Sequence, residues 1–89
     1  MIARVDVYWA RSREQFQASR RYRLEAWDGD GWRVLFVHED PAGTVHVTRH
    51  SVSFVPVVTS RLRVLQPAGG GPLQRPDLMW VAEVEVYGP

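Results

Sequence analysis

Apolar and polar residues alternate along five segments of the chain. The apolar positions are Val5, Val7 and Trp9; Tyr22, Leu24 and Ala26; Val52 and Phe54; Leu62 and Val64; and Ala82, Val84 and Val86. Mostly charged or hydroxyl-bearing residues separate them. A period of two residues predicts half-buried antiparallel strands, each with its apolar side chains on one face of a sheet.

Residues 32–37 are apolar at both alternating positions and therefore predict a sixth, central strand. Turn residues separate these strands: residues 28–31 (Asp-Gly-Asp-Gly) are a hairpin signal, and residues 40–43 (Asp-Pro-Ala-Gly) predict a second turn. Pro56 interrupts a run of valines. Residues 12–18 are compatible with a helical turn, but we expect mostly loop there. The pattern predicts an all-β sandwich or barrel.

The 89 residues predict one small globular domain, residues 1–89. All 11 basic residues are arginine, and 10 acidic residues leave a net charge of +1, which is too balanced for a nucleic-acid-binding surface. The absence of cysteine excludes disulfides and thiolate metal sites. No long uncharged apolar run predicts a membrane span, and the charges of Arg4 and Asp6 argue against a signal peptide.

Five segments occur in an order that resembles a known domain family. They are VDVYW (5–9), YRLEAWDGDGW (22–32), VSFVPV (52–57), SRLRV (60–64) and WVAEVEVYG (80–88). This order resembles the discoidin-like, or coagulation factor V/VIII type C, domains, and in particular the galactose-binding-like modules attached to bacterial glycosidases. The resemblance implies an antiparallel jelly-roll-like β-sandwich. It covers the C-terminal portion of such a domain, because the family's opening strands have no counterpart in this sequence.

A sandwich without its opening strands would leave an apolar face uncovered and a sheet edge unpaired. We therefore expect a partner that completes the fold, either a second copy in a homo-oligomer or a complementary N-terminal polypeptide. The alternative is a reduced sandwich in which the six strands close on themselves.

The resemblance also implies a structural calcium ion, for which the last strand would supply the carbonyl of Ala82 and the carboxylate of Glu83. Calcium takes about six to eight oxygen ligands, and the N-terminal loop that supplies the others in the family is missing. The alternative is that Glu83 faces solvent or pairs with an arginine. Asp28 and Glu39 have the spacing of a calcium-binding loop, but the strand pattern between them favours a hairpin.

The sequence shows no pattern typical of an enzyme. On a regular strand His46 and His50 would lie about 13 Å apart, too far to share a metal ion, so we expect them and His38 at the surface or rim. No nucleophile motif and no marked carboxylate pair occurs. We expect the clustered arginines to pair across strands with Glu25, Glu83 and Glu85 rather than to bind phosphate.

Carbohydrate binding is the common role of the modules that this chain resembles. Such sites combine an aromatic face with planar polar groups such as guanidinium. Residues 66–80 form a long loop whose Arg75 and Trp80, with Trp9 at a strand end, are the predicted ligand-binding residues. The alternative places Trp9, Trp32 and Trp80 in the core and leaves Trp27 as the more exposed tryptophan. We expect a non-catalytic carbohydrate-binding or accessory module of a glycan-degrading system, or alternatively a protein–protein assembly domain without a sugar site.

Overall fold

The computed structural model describes residues 1–12, 14–43 and 46–89, which contain eight β-strands and no helix. The strands are β1 Ile2–Trp9, β2 Arg11–Ser12, β3 Gln15–Phe16, β4 Arg21–Trp27, β5 Trp32–Glu39, β6 Arg49–Val57, β7 Leu62–Leu65 and β8 Val81–Tyr87. Among these residues, no helix has the length and apolar character needed to cross a membrane. The predicted all-β fold is confirmed.

Two three-stranded antiparallel sheets pack face to face. The first sheet has the order β6-β1-β8 and the second the order β5-β4-β7, while β2 and β3 form a separate hairpin. The ring centroids of Trp9 on β1 and Tyr22 on β4 are 5.4 Å apart, and β5 contacts β6. Because β1 faces β4 and β5 faces β6, β7 and β8 lie on the same side of the sandwich.

The core lies between the two central strands. Val5 and Val7 on β1 and Leu24 on β4 are fully buried, and Trp9 and Tyr22 are 2% and 1% exposed. Each fully buried aliphatic side chain stabilises the fold by about 1.5–3 kcal/mol. The apolar positions predicted on β1 and β4 therefore form the inner faces of the two central strands. On β8, Val81 rather than the predicted Ala82 pairs with Trp9 and packs against the core.

The prediction that residues 32–37 form a central strand is wrong. They belong to β5, which pairs only with β4 among the described strands and is therefore an edge strand. Its outer face is not covered, so Trp32 is 36% exposed and Val34 48% exposed. Trp27 packs against Trp32 edge to face at 5.5 Å and is the less exposed of the two.

The structure agrees better with the turns predicted from the sequence than with the prediction for the irregular segment 12–18. Asp28 Oδ1 accepts hydrogen bonds from the backbone N–H groups of Asp30 and Gly31, both at 2.9 Å, and closes the predicted hairpin between β4 and β5. Residues 12 and 14–18, the described part of the predicted helical turn, are not helical, because they contribute to the β2–β3 hairpin, in which Glu14 has a φ of 64°. Pro56 lies inside β6, where an edge strand tolerates the missing N–H.

One predicted arginine–glutamate pair forms across strands on the outer face of the second sheet. The Nε atom of Arg63 on β7 lies 2.6 Å from Oε1 of Glu25 on β4, and Arg23 lies 3.6 Å from the same carboxylate. These arginines cover Glu25, which is only 5% exposed. The ion pair therefore joins β7 to β4 beyond the backbone hydrogen bonds.

Candidate functional site

A cavity of about 450 Å³ lies at the end of the sandwich where β1 finishes and β4 starts. The β2–β3 hairpin and the residue following it supply one wall, and the loop between β7 and β8 supplies the other. The lining residues are Ser12, Gln15, Gln17, Gln74, Arg75, Leu78 and Trp80. Three carboxamides, one guanidinium and one indole therefore converge on a single space.

The loop that carries Arg75 and Trp80 is folded on itself by backbone hydrogen bonds. Gly71 N–H donates to Pro76 O at 2.9 Å, Arg75 N–H donates to Pro72 O at 2.9 Å, and Leu78 N–H donates to Arg75 O at 3.1 Å. A Cβ atom on Gly71 would collide with carbonyl oxygens of this loop. The loop therefore needs a glycine there in order to close on itself.

Arg20 fixes this loop to the start of β4. Its Nε atom donates to the carbonyl of Gly71 at 2.7 Å and its Nη2 atom to the carbonyl of Gly69 at 2.6 Å. The backbone N–H groups of Arg20 and Arg21 both donate to Gly70 O, at 2.8 and 3.0 Å. The two bonds from the Arg20 guanidinium are charge-assisted and therefore stronger than neutral hydrogen bonds. They hold the loop against the start of β4.

The other wall is tied to the same framework. Ala10, directly after β1, donates its N–H to Trp80 O at 2.7 Å and accepts a hydrogen bond from Gln17 N–H at 2.9 Å. Ala10 is thereby hydrogen-bonded to both walls of the cavity. Trp80 is half-buried, and its indole Nε1 is buried without a hydrogen-bond partner in the described part of the chain.

These side chains suit a neutral, hydroxyl-rich ligand. Carboxamide groups both donate and accept hydrogen bonds, and a guanidinium offers several N–H donors in one plane. Among the residues that the structure describes, Arg75 is the only charged one that lines the cavity. An adjoining apolar hollow of about 140 Å³, which shares all three glutamines, is bounded by Phe16, Ala18, Pro72 and Leu73. A ligand with both polar and C–H faces would fit this combination.

A second cluster lies between the sheets, near the same end of the molecule. His38 from β5 and His50 from β6 have ring centroids 4.4 Å apart, and Tyr22 stacks on His38 at 4.9 Å. Nδ1 of His50 lies 3.2 Å from Trp9 Nε1 and 2.9 Å from the Tyr22 hydroxyl. Because an indole N–H can only donate, Nδ1 of His50 is an acceptor and the ring carries its proton on Nε2.

Burial disfavours the charged forms of this cluster. Desolvation, followed by the nearby His38, lowers the pKa of His50 to about 4, while Asp40 acts in the opposite direction. Desolvation also lowers the pKa of His38 and raises the pKa of Tyr22. Both histidines are therefore neutral near pH 7. His46 is exposed, whereas His38 and His50 are half-buried between the sheets.

The structure brings together two of the three predicted ligand-binding residues. Arg75 and Trp80 line the large cavity, whereas Trp9 is buried in the core and contacts His50. The three glutamines were not predicted. Gln15 and Gln17 depend on a hairpin that the sequence pattern did not reveal, and Gln74 lies in the long loop beside Arg75. Gln66, at the start of the same loop, donates from Nε2 to Leu78 O at 3.0 Å and supports the wall from behind.

The residues proposed for calcium do not form a complete ligand set within this chain. Ala82 and Glu83 lie exposed on β8, and among the described residues no group of three histidine or acidic side chains is placed to hold a metal ion. Asp28 lies in the turn before β5 and Glu39 at the far end of β5, so the two cannot share an ion. A calcium ion that uses Ala82 and Glu83 stays a prediction that requires ligands from elsewhere.

Comparisons with protein-family models, with curated proteins and with solved structures found no match to this chain. The discoidin-like resemblance and its jelly-roll connectivity therefore stay predictions based on the sequence segments.

Proposed function

We propose that this domain is a non-catalytic carbohydrate-binding module whose ligand occupies the cavity between the β2–β3 hairpin and the β7–β8 loop. The observation that carries the proposal is the convergence of Arg75, Trp80 and three glutamines on one space of about 450 Å³. Sugar rings present hydroxyl groups at their edges and C–H groups on their faces. Planar polar side chains beside an indole complement both.

The neutrality of the remaining lining favours an uncharged sugar over a phosphorylated one. A phosphate would need several positive groups, and the lining contributed by the described residues holds a single guanidinium. The parent glycan-degrading system that the resemblance implies is part of the same proposal. It would use this domain to hold a glycan near a separate catalytic unit.

A glycan array followed by calorimetric titration of the strongest-bound glycan tests the proposal. We expect Arg75→Ala and Trp80→Ala each to weaken binding about tenfold or more, because each removes one class of contact from the cavity. Arg33→Ala and Trp32→Ala are matched controls, since both residues are exposed on β5 and do not line the cavity. The absence of binding to any glycan at millimolar concentration, or equal losses in the controls, would contradict the proposal.

An assembly role without a sugar site is the second candidate function. The observation that favours it is the exposure of Val84 and Val86, which are 38% and 47% exposed on β8. The array result separates the two functions, because a domain that serves only in assembly would bind no glycan.

A further inference from the structure

One side of the sandwich is closed and the other is open. On the closed side β5 contacts β6, and Val52 of β6 is 6% exposed. On the open side Val84 and Val86 of β8 lie opposite Val7 and Val5 of β1, which places them on the same inner face. They are nevertheless exposed, so the described part of the second sheet does not cover them.

The two strands at the open side carry complementary side chains. On β7, Leu62 and Val64 face inward, because they pair with Ala26 and Leu24 of β4. Arg61 and Arg63 occupy the alternate, outward positions of this strand and its approach. On β8 the outward positions are Glu83 and Glu85. The β7 edge therefore carries basic side chains on its outer face and apolar side chains on its inner face. The β8 edge carries acidic side chains on its outer face and apolar side chains on its inner face.

We propose that a second copy of this chain closes the open side, with β8 of each copy pairing with β7 of the other. A two-fold axis that runs along the strands, midway between the sheets, brings the first sheet of one copy beside the second sheet of the other. The result is two continuous six-stranded sheets. The contact is isologous and closes on itself, so it stops at a dimer.

The strand directions agree with this pairing. The end of β1 lies against the start of β4, as the Trp9–Tyr22 contact shows, so β1 and β4 run in opposite directions. β8 is antiparallel to β1 and β7 is antiparallel to β4. It follows that β7 and β8 also run in opposite directions. Rotation about an axis parallel to the strands does not change strand direction. β8 of one copy and β7 of the other are therefore antiparallel, like the other strand pairs in the sheets.

The heights of the side chains also agree. Val7 and Leu24 lie two residues from the Trp9–Tyr22 contact, and they pair with Val84 and Val64 respectively. Val84 of one copy therefore lies level with Val64 of the other. Glu85 follows Val84 on β8, and Arg63 precedes Val64 on β7. Because the strands run in opposite directions, Glu85 of one copy lies level with Arg63 of the other, on the outer face. Arg63 binds Glu25 through Nε and its guanidinium lies over the Trp32 ring, 4.2 Å from the ring centroid, so it would turn away from Trp32 in order to reach Glu85 of the second copy.

Pairing of β8 with its own copy is disfavoured by charge. An antiparallel β8–β8 contact would place Glu83 and Glu85 opposite glutamates of the second copy, and like charges directly opposite destabilise a sheet. The β7–β8 contact avoids this repulsion, because the outward residues of the β7 edge are the arginines Arg61 and Arg63. The inference goes beyond sugar binding and does not depend on it.

Light scattering coupled to size exclusion, and sedimentation over a wide concentration range, test the dimer. We expect twice the chain mass of 10.2 kDa. Val86→Asp and Glu85→Arg should each raise the dimer dissociation constant about tenfold or more, because each change occurs twice in the interface. Val55→Asp is the matched control, since Val55 is 83% exposed on β6 at the other side. A wild-type monomer at all concentrations, or a dimer unaffected by both variants, would overturn the proposal.

Engineered cysteines test the strand pairing without relying on destabilising changes. The chain has no cysteine of its own, so introduced thiols react alone. Oxidation of an equimolar mixture of Val84→Cys and Val64→Cys chains should give a mixed covalent dimer, because opposite residues in paired strands approach closely enough for a disulfide. A mixture of Val55→Cys and Val64→Cys should not. Self-linking of Val84→Cys chains in preference to the mixed product would show β8–β8 pairing and refute the arrangement.

Discussion

Acidification should destabilise the fold through His50. The ring lies between the sheets with Nδ1 accepting from the Trp9 indole, and its titratable neighbours are Tyr22, His38 and Asp40. Protonation would place an N–H on Nδ1 opposite the indole N–H, so the folded state resists it. The unfolded chain takes up this proton near the ordinary pKa of 6.5, whereas the folded chain does so at about 4. Stability is therefore lost as the pH falls from 6.5 towards 4.

The size of this effect follows from the pKa difference and the exposure of the ring. Each power of ten in proton affinity is worth about 1.36 kcal/mol, so a pKa of about 4 would correspond to at most about 3 kcal/mol. His50 is only half-buried, and solvent screening reduces that figure to about 1–2 kcal/mol. This is a measurable fraction of the stability of a small domain.

Urea unfolding at about pH 7 and about pH 4.5, for the wild type and His50→Gln, measures the effect. Glutamine keeps an acceptor for Trp9 but does not titrate, so the variant should lose about 1 kcal/mol less on acidification than the wild type. His38 and the carboxylates are present in both chains and cancel in the comparison. His46→Gln, at an exposed position, is the control. An equal loss in the wild type and His50→Gln would refute the reasoning.

Three further predictions concern the core, the loop and the interface. Leu24→Ala should lower the free energy of unfolding by about 2–5 kcal/mol in urea titrations, because Leu24 is fully buried; a loss below 1 kcal/mol would contradict its central position. Arg20→Ala should weaken glycan binding in calorimetry although Arg20 would not contact the ligand, because the change releases the carbonyls of Gly69 and Gly71; unchanged affinity would show that the loop keeps its conformation without Arg20. Val86→Asp should weaken binding to an immobilised multivalent glycan more than to the same glycan in solution, because the proposed two-fold axis places both cavities at one end of the dimer; equal effects would argue against that geometry.

The alternating pattern predicted the inner face of each strand but could not predict whether that face is covered. Val5 and Val86 have the same sequence signature and lie opposite each other, yet one is fully buried and the other is 47% exposed. The difference arises from the opposing sheet, which packs on β1 and leaves β8 uncovered. Whether the opposing sheet covers a residue depends on tertiary packing, and a local period of two residues carries no information about it.

The candidate site was predictable only in part, for a similar reason. Arg75 and Trp80 were expected because residue types suited to sugar binding stand in one long loop. Gln15 and Gln17 reach the same cavity from a hairpin whose strands are two residues long, too short to leave a pattern. The contact of His38 with His50 joins strands from two sheets, so the position of each on its own strand could not indicate it.

The indole N–H resonances of the four tryptophans offer the most direct test of the proposed carbohydrate site. Each can be assigned by single substitution and followed by heteronuclear NMR while the strongest-bound glycan from the array is titrated. We expect the Trp80 signal to shift with saturation, because the ligand would lie beside the Trp80 ring in the cavity, while the signal of Trp9, which is bonded to His50, stays in place. A Trp80 signal that does not move while the glycan binds would contradict the account.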